Sequence, residues 1–228
     1  MILKAENISK TFFRSTGSAN YFYAVSPMSL EIEPGTVTLL TGRSGSGKTT
    51  LLNMLSGLLE PTEGTVLLDG TDLYRMKDAA LSRFRNEKIG VIPQARSAVD
   101  TLTVMENILL PAGLYGRPLP SEEAARRMKE FDISHLADAM PRELSGGELR
   151  RMAIVRAMAG DPEILFADEP TGDLDDENTE RVLATLYVFA HIENKAVFIV
   201  SHENEALKYA DRILKMENGR ITFPEDEK

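Results

Sequence analysis

Residues 36–49 read Thr-Val-Thr-Leu-Leu-Thr-Gly-Arg-Ser-Gly-Ser-Gly-Lys-Thr. Thr36 to Leu40 is a β-rich run that predicts a buried strand. Gly42-Arg43-Ser44-Gly45-Ser46-Gly47-Lys48-Thr49 fits the phosphate-loop pattern of glycine, four residues, then glycine-lysine-serine/threonine. Thr49 to Leu58, which includes Thr50, reads as the helix that follows. Strand, glycine loop and helix in that order form a cradle. Glycines let the backbone curl until its N–H groups face one centre, and the helix adds its positive end. Lys48 then reaches the β- and γ-phosphates and the Thr49 hydroxyl holds Mg²⁺. The competing reading is a flexible Gly/Ser turn. At ordinary residue frequencies the pattern arises by chance in roughly one chain of this length in a hundred, and its flanking strand and helix favour the phosphate reading.

Outward from this loop the chain alternates strands and helices. Upstream, Leu3 to Ile8 and Ser29 to Ile32 predict half-buried strands, with a loop at Arg14 to Asn20 and a turn at Glu33-Pro34-Gly35. Downstream come a turn at Pro61 to Gly64, a strand at Thr65 to Leu68 and a buried strand at Ile89 to Ile92. From about residue 95 to 159 the texture is helical, with Ser121-Glu122-Glu123 as the N-cap and first turn of a helix to about Phe131. Ile164 to Ala167 and Ala196 to Val200 predict buried strands, joined by a helix from about Glu177 to His191. The tail from Phe223 reads as frayed. The pattern predicts an α/β fold with a largely parallel sheet, in one domain over 1–228, with an inserted helical subdomain at about 95–159.

Composition sets the class. The chain has 228 residues, 43% of them apolar and 27% charged, which excludes a disordered chain or a miniprotein. A net charge of −9 disfavours nucleic acid and anionic lipid as partners. There is no cysteine, so disulfides, thiolate nucleophiles and zinc–thiolate sites are excluded. No run approaches the roughly 18 apolar residues of a membrane span. The start MILKAENISK lacks the apolar stretch of a secretory signal, so a cytoplasmic location is expected.

Two further segments carry chemistry. In Ile164-Leu165-Phe166-Ala167-Asp168-Glu169 two acids end a buried strand, where ligands bind in open parallel sheets. Asp168 is placed to hold the metal beside Thr49, and Glu169 to accept a proton from an attacking water. Both acids could instead merely cap the next segment. The third segment, Leu144-Ser145-Gly146-Gly147-Glu148, leads into a run with Arg150, Arg151 and Arg156. Ser-Gly-Gly at a helix start is either a second phosphate cradle or a plain N-cap. Two cradles in a small domain imply two ligands, or one ligand shared between two chains.

With these residues in place, the chain resembles the ATP-binding subunits of ABC transporters, over nearly its whole length. LSGGE resembles the family's signature, and the other segments follow in the family's order and spacing. The resemblance implies a P-loop NTPase core with an N-terminal antiparallel β subdomain. It implies a head-to-tail homodimer, formed with ATP, in which Ser145, Gly146, Gly147 and Glu148 of one copy cover the ATP on the other's phosphate loop. Gln94 matches the glutamine that touches Mg²⁺ and the attacking water, although Pro93 stands where the family usually has an aromatic residue. His202 matches the histidine that contacts the γ-phosphate, while His135 and His191 are read as ordinary surface residues. Thr171-Gly172-Asp173-Leu174-Asp175 matches the loop that crosses the dimer interface, so Asp175 joins the nucleotide-binding set. Phe12 matches the aromatic that stacks on adenine, with Tyr21 and Tyr23 as alternatives and core packing as the competing role.

Residues 167–175, ADEPTGDLD, and the segment Thr103 to Ile108 with Pro111 resemble the lipoprotein-release, macrolide-export and cell-division branch, whereas Leu149 departs from the polar residue usual after the signature. The implied function is a Mg²⁺-dependent ATPase on the cytoplasmic face of the cell membrane, powering a separate integral membrane permease. Its membrane contact would come only through that permease, which presses a short helix into a groove near Gln94. The alternative is an ABC ATPase without transport, soluble or regulatory. One chain carrying one such domain, with no coiled coil and an acidic charge, disfavours the translation and DNA-repair types.

Overall fold

The computed structural model describes residues 2–13, 21–117, 121–172 and 174–222. In chain order the strands are β1 (Leu3–Phe13), β2 (Tyr21–Ile32), β3 (Thr36–Thr41), β4 (Glu63–Leu68), β5 (Thr71–Asp72), β6 (Ile89–Ile92), β7 (Ile164–Asp168), β8 (Ala196–Val200), β9 (Arg212–Glu217) and β10 (Arg220–Thr222). The helices are α1 (Lys48–Leu55), α2 (Asp78–Lys88), α3 (Val104–Leu114), α4 (Ser121–Glu130), α5 (Gly146–Ala159) and α6 (Asp176–His191). The loop expected at 14–20, the tail from Phe223 and Asp173 lie outside the described residues.

Two sheets form. One is antiparallel in the order β2-β1-β4-β5, which bears out the expected N-terminal subdomain. The other has the order β10-β9-β3-β8-β7-β6, parallel from β9 to β6 with β10 antiparallel at one edge. Every residue of β7 and β8 is buried, as expected of parallel strands covered on both faces. Side chains alternate between two cores. Leu165, Ala167, Val197 and Ile199 face the core built with α3, α4, α5 and α6. Ile164, Phe166, Phe198 and Val200 face the core built with α1 and the antiparallel sheet. Among the described residues no helix is long and apolar enough to cross a membrane.

Several elements depart from their sequence expectation. The two N-terminal strands extend much further than the alternation indicated. They pair along their length, but register shifts after Ala5 and Ile8 break the period of two that the sequence would have shown. Helix α1 stops at Leu55 rather than Leu58, because Gly57 turns with φ +75° and the N–H groups of Leu58 and Leu59 both fall back on the Asn53 carbonyl. Glu63 and Gly64 belong to β4, not to a turn. Ser121 lies within α4 as its first residue rather than capping it from outside, with Glu122 and Glu123 in the first turn as expected. His135 sits in a 3₁₀ turn, not a longer helix. The helices α3, α4 and α5 fall inside the predicted helical stretch. α4 is fastened to the segment after α6 by a two-pronged ion pair, Arg127 Nη1 and Nη2 to the Glu193 carboxylate at 2.8 and 2.7 Å.

Candidate functional site

Register places the site. Leu40 pairs with Val200, and Val200 with Asp168, so β3, β8 and β7 end level with one another. The three loops leaving those ends carry the phosphate-loop residues, Glu169 and His202. They enclose a cavity of about 590 Å³ lined by Gly42, Arg43, Ser44, Gly45, Gly47, Lys48, Thr49, Thr50, Gln94, Asp168, Glu169 and His202. Of the predicted phosphate-loop residues only Ser46 is not on the wall. It is buried, and its Oγ has no hydrogen-bond partner in the described structure.

The glycines are required by close backbone approaches. A Cβ on Gly42 would stand 2.3 Å from the Met216 carbonyl oxygen, and one on Gly47 would stand 2.2 Å from that of Ala24. Gly47, at φ +107°, is the residue before α1 and offers the helix no side-chain cap, so the first-turn N–H groups are left for a ligand. Lys48 Nζ donates to the carbonyls of Gly42 and Arg43 at 2.7 and 3.1 Å, lying across the loop it follows.

Thr49 Oγ1 donates to Asp168 Oδ2 at 2.8 Å. Asp168 is 3% exposed, and this burial holds its carboxyl above the usual carboxylate range, opposed by the Thr49 bond. The pair offers two hard oxygens side by side, the donor type Mg²⁺ takes. Among the described residues no three His, Cys, Asp or Glu side chains form a metal cluster. Glu169 sits in the left-handed region at φ +49°, with its N–H on the Val200 carbonyl at 2.8 Å. Its two carboxylate oxygens lie 3.0 Å from His202 Nδ1. That contact raises the His202 pKa above the usual imidazole range. Thr171 Oγ1 donates to the Glu203 carboxylate, fastening the loop after Glu169 to the loop carrying His202.

The signature residues stand elsewhere. Ser145 is the N-cap of α5: its Oγ accepts from Glu148 N–H at 3.3 Å, while Glu148 Oε2 accepts from Ser145 N–H and Oγ at 2.7 Å. These bonds hold the Glu148 carboxyl below its usual range. The plain N-cap is therefore present, and none of Ser145 to Glu148 lines the phosphate-loop cavity of its own chain. Asp175 likewise caps α6, accepting from Asn178 N–H at 2.8 Å. Phe12 packs near Phe22 with ring centres 6.0 Å apart, and Tyr21 and Tyr23 line a separate cavity of about 330 Å³. None of the three reaches the phosphate-loop cavity wall. His135 is exposed, as expected. His191 is half-buried, stacked on Tyr187 and 3.2 Å from Asp211 Oδ1, more engaged than a plain surface residue. Sequence reasoning did not single out Glu203 or separate Arg150 from its neighbouring arginines, since nothing local distinguishes them.

This arrangement has known counterparts. Residues 25–172 match the ABC transporter family, and the chain belongs to that family as an ATP-binding, ATP-hydrolysing subunit. Its relatives include the lipoprotein-releasing system ATP-binding protein LolD of Buchnera aphidicola, 34% identical with 97% of this chain and 96% of LolD covered. Another is the uncharacterized ABC transporter ATP-binding protein YvcR of Bacillus subtilis, 36% identical with 96% of this chain and 85% of YvcR covered. Among solved structures, the ATP-binding cassette MJ0796, a dimer in a post-hydrolysis state bound to ADP and Pi, superimposes with a TM-score of 0.89. It is 31% identical, and the match covers 97% of this chain and 98% of that one. The expected family, fold and lipoprotein-release likeness are borne out.

Proposed function

We propose that the chain hydrolyses ATP, with Mg²⁺, in the cavity at the ends of β3, β7 and β8, and that two copies close head to tail around two nucleotides to drive a separate membrane permease. The observation that carries this reading is the separation of the two phosphate-binding elements. One chain presents its phosphate loop and both acids in one cavity, while its Ser145-Gly146-Gly147 helix start does not line that cavity and is left for another copy's nucleotide.

In this reading the loop N–H groups from Gly42 to Thr50 hold the phosphates, and Lys48 leaves the carbonyls of Gly42 and Arg43 for the β- and γ-phosphate oxygens. Thr49, Asp168 and Gln94 would hold the Mg²⁺. Bound there, the ion supplies a divalent charge that gathers phosphate oxygens and offsets charge as the γ-phosphoryl group leaves. Glu169 takes the proton from the attacking water, and Gln94 orients that water. His202 moves from Glu169 to the γ-phosphate, which frees the carboxylate for its task. Asp175 serves the closed dimer through the loop that crosses it. Phe12 would stack on the adenine once nucleotide is bound, with Tyr21 and Tyr23 as the alternatives.

The permease segment would enter the groove beside the 94–98 segment, which lines a cavity of about 190 Å³ together with Leu144, Gly146, Leu149, Arg150 and Ala153. This keeps the subunit at the cytoplasmic face of the membrane, held there through the permease alone and without nucleic acid. Glu169→Gln tests the assignment. ATP should convert it to a dimer on size-exclusion chromatography while turnover is lost, and full ATPase activity in that variant sinks the general-base role. Purification from detergent-solubilised membranes should recover a polytopic protein in near-stoichiometric amount. Recovery of soluble partners alone would leave the ATPase and overturn transport.

A further inference from the structure

Arg150 is 8% exposed and belongs to α5, yet its guanidinium spends its donors outside that helix. Nη1 donates to the Pro93 carbonyl at 2.5 Å and, more weakly, to that of Gln94 at 3.5 Å. Nη2 donates to the Asp168 carbonyl at 2.7 Å and to that of Glu169, and Nε donates to Pro170 at 2.9 Å. One planar fork thus joins the chain leaving β6 to the chain leaving β7. Three successive carbonyls, 168 to 170, converge on it, which over-determines the left-handed turn at Glu169. Lysine could not replace it. An ammonium has three tetrahedrally disposed donors, whereas the fixed fork of five N–H groups serves carbonyls arriving from two loops.

We propose that Arg150 is a positioning residue that sets Gln94 and Glu169 relative to each other and ties both to the signature helix. Ser145, the N-cap of α5, lies five residues earlier, about 7.5 Å along the helix axis. Docking of that N-terminus on the nucleotide of a second copy is therefore transmitted through one rigid helix to this chain's own water-activating groups. This rests on the composite-dimer reading above.

The test uses the full-length chain with Arg150→Lys and Arg150→Gln, each alone and combined with Gln94→Ala. Binding of trinitrophenyl-ATP without Mg²⁺ should stay within about 3-fold of the parent, because the phosphate loop is untouched. In both single variants kcat should fall by about 10–100-fold with KM little changed, the loss expected when reacting groups are misplaced by about an ångström. In the Gln94→Ala background the same substitutions should cost measurably less than they do alone, since the part of the loss that runs through Gln94 is already gone and only the part through Glu169 remains. Three results would overturn the proposal: kcat within about 2-fold of the parent, an equal loss in the Gln94→Ala background, or loss of nucleotide binding in both variants, which would make Arg150 scaffold. A parent chain without turnover would bring down the underlying ATPase reading instead, so the two failures are distinct.

Discussion

Glu193→Ala removes the carboxylate that fastens α4 to the segment after α6, and the cost can be worked from its surroundings. The lost bonds are the pair at 2.8 and 2.7 Å to Arg127. Two charge-assisted hydrogen bonds set an upper bound of about 3–6 kcal/mol. Arg127 keeps Glu123 at 3.2 Å and Glu130 at 3.4 Å, although both acids also serve Arg126. The Glu193 side chain is 27% exposed and Arg127 only 3%, so the stranded group is the arginine. These offsets bring the expected loss to about 2–3 kcal/mol. For a chain of this size that is a fall in melting temperature of about 5–10 °C. Arg127→Met takes the buried charge away instead of stranding it, and keeps an apolar chain beside Phe189, so it should cost no more than about 1 kcal/mol. Calorimetry and urea midpoints of the nucleotide-free protein at pH 7 measure both. A loss below about 1 kcal/mol for Glu193→Ala, or a larger loss for Arg127→Met, would refute the premise that the penalty lies in the uncompensated buried cation.

Asp168→Asn should raise the melting temperature of the nucleotide-free protein at pH 7 while abolishing Mg²⁺-dependent turnover. The folded-state pKa of Asp168 lies above its unfolded value, so its contribution to stability falls as pH rises through that window, and asparagine removes the fall; a lower melting temperature would count against burial as the cause. Glu169→Gln should bring the His202 pKa down toward about 6.5 in an NMR titration of the imidazole protons. His202 is raised in the folded state, so its modest contribution is present at low pH and lost as pH climbs through the raised value; an unmoved titration would show that the two groups do not interact in solution. Gly47→Ala forces a Cβ to 2.2 Å from the Ala24 carbonyl at φ +107° and should abolish nucleotide binding, read by equilibrium dialysis. Parental affinity would mean that the β2–loop approach is loose.

The parts of the fold legible in the sequence are those decided by short-range pattern. β3, β6, β7 and β8 are apolar runs buried on both faces, and each was placed to within a residue. α2 carries little local signal, because seven of its eleven residues are polar or charged and Leu81 is its one buried residue. β9 and β10 are not legible locally either, since their place comes from pairing with β3 and with each other. The site divides along the same line. Lys48, Thr49, Asp168 and Glu169 sit in local motifs, and the sheet register then brings them together. Gln94 and His202 need the family resemblance, since a single glutamine or histidine carries no local signal, whereas the Ser145 helix start is legible locally as either a phosphate cradle or a plain N-cap. Arg150 escaped both, because its role consists of carbonyls supplied from residues 93–94 and 168–170.

Lys48 lies across its own loop, held by the carbonyls of Gly42 and Arg43. An ammonium so engaged is already desolvated and already bonded, so nucleotide arrival becomes a trade of partners and not a capture from water. In the proposed reading the trade subtracts the cost of the broken bonds from the grip on phosphate. When the spent nucleotide loosens, the same two carbonyls are at hand to take the amine back. Product departure would thereby gain a competitor built into the chain, one that works against arrest of the subunit by its own product.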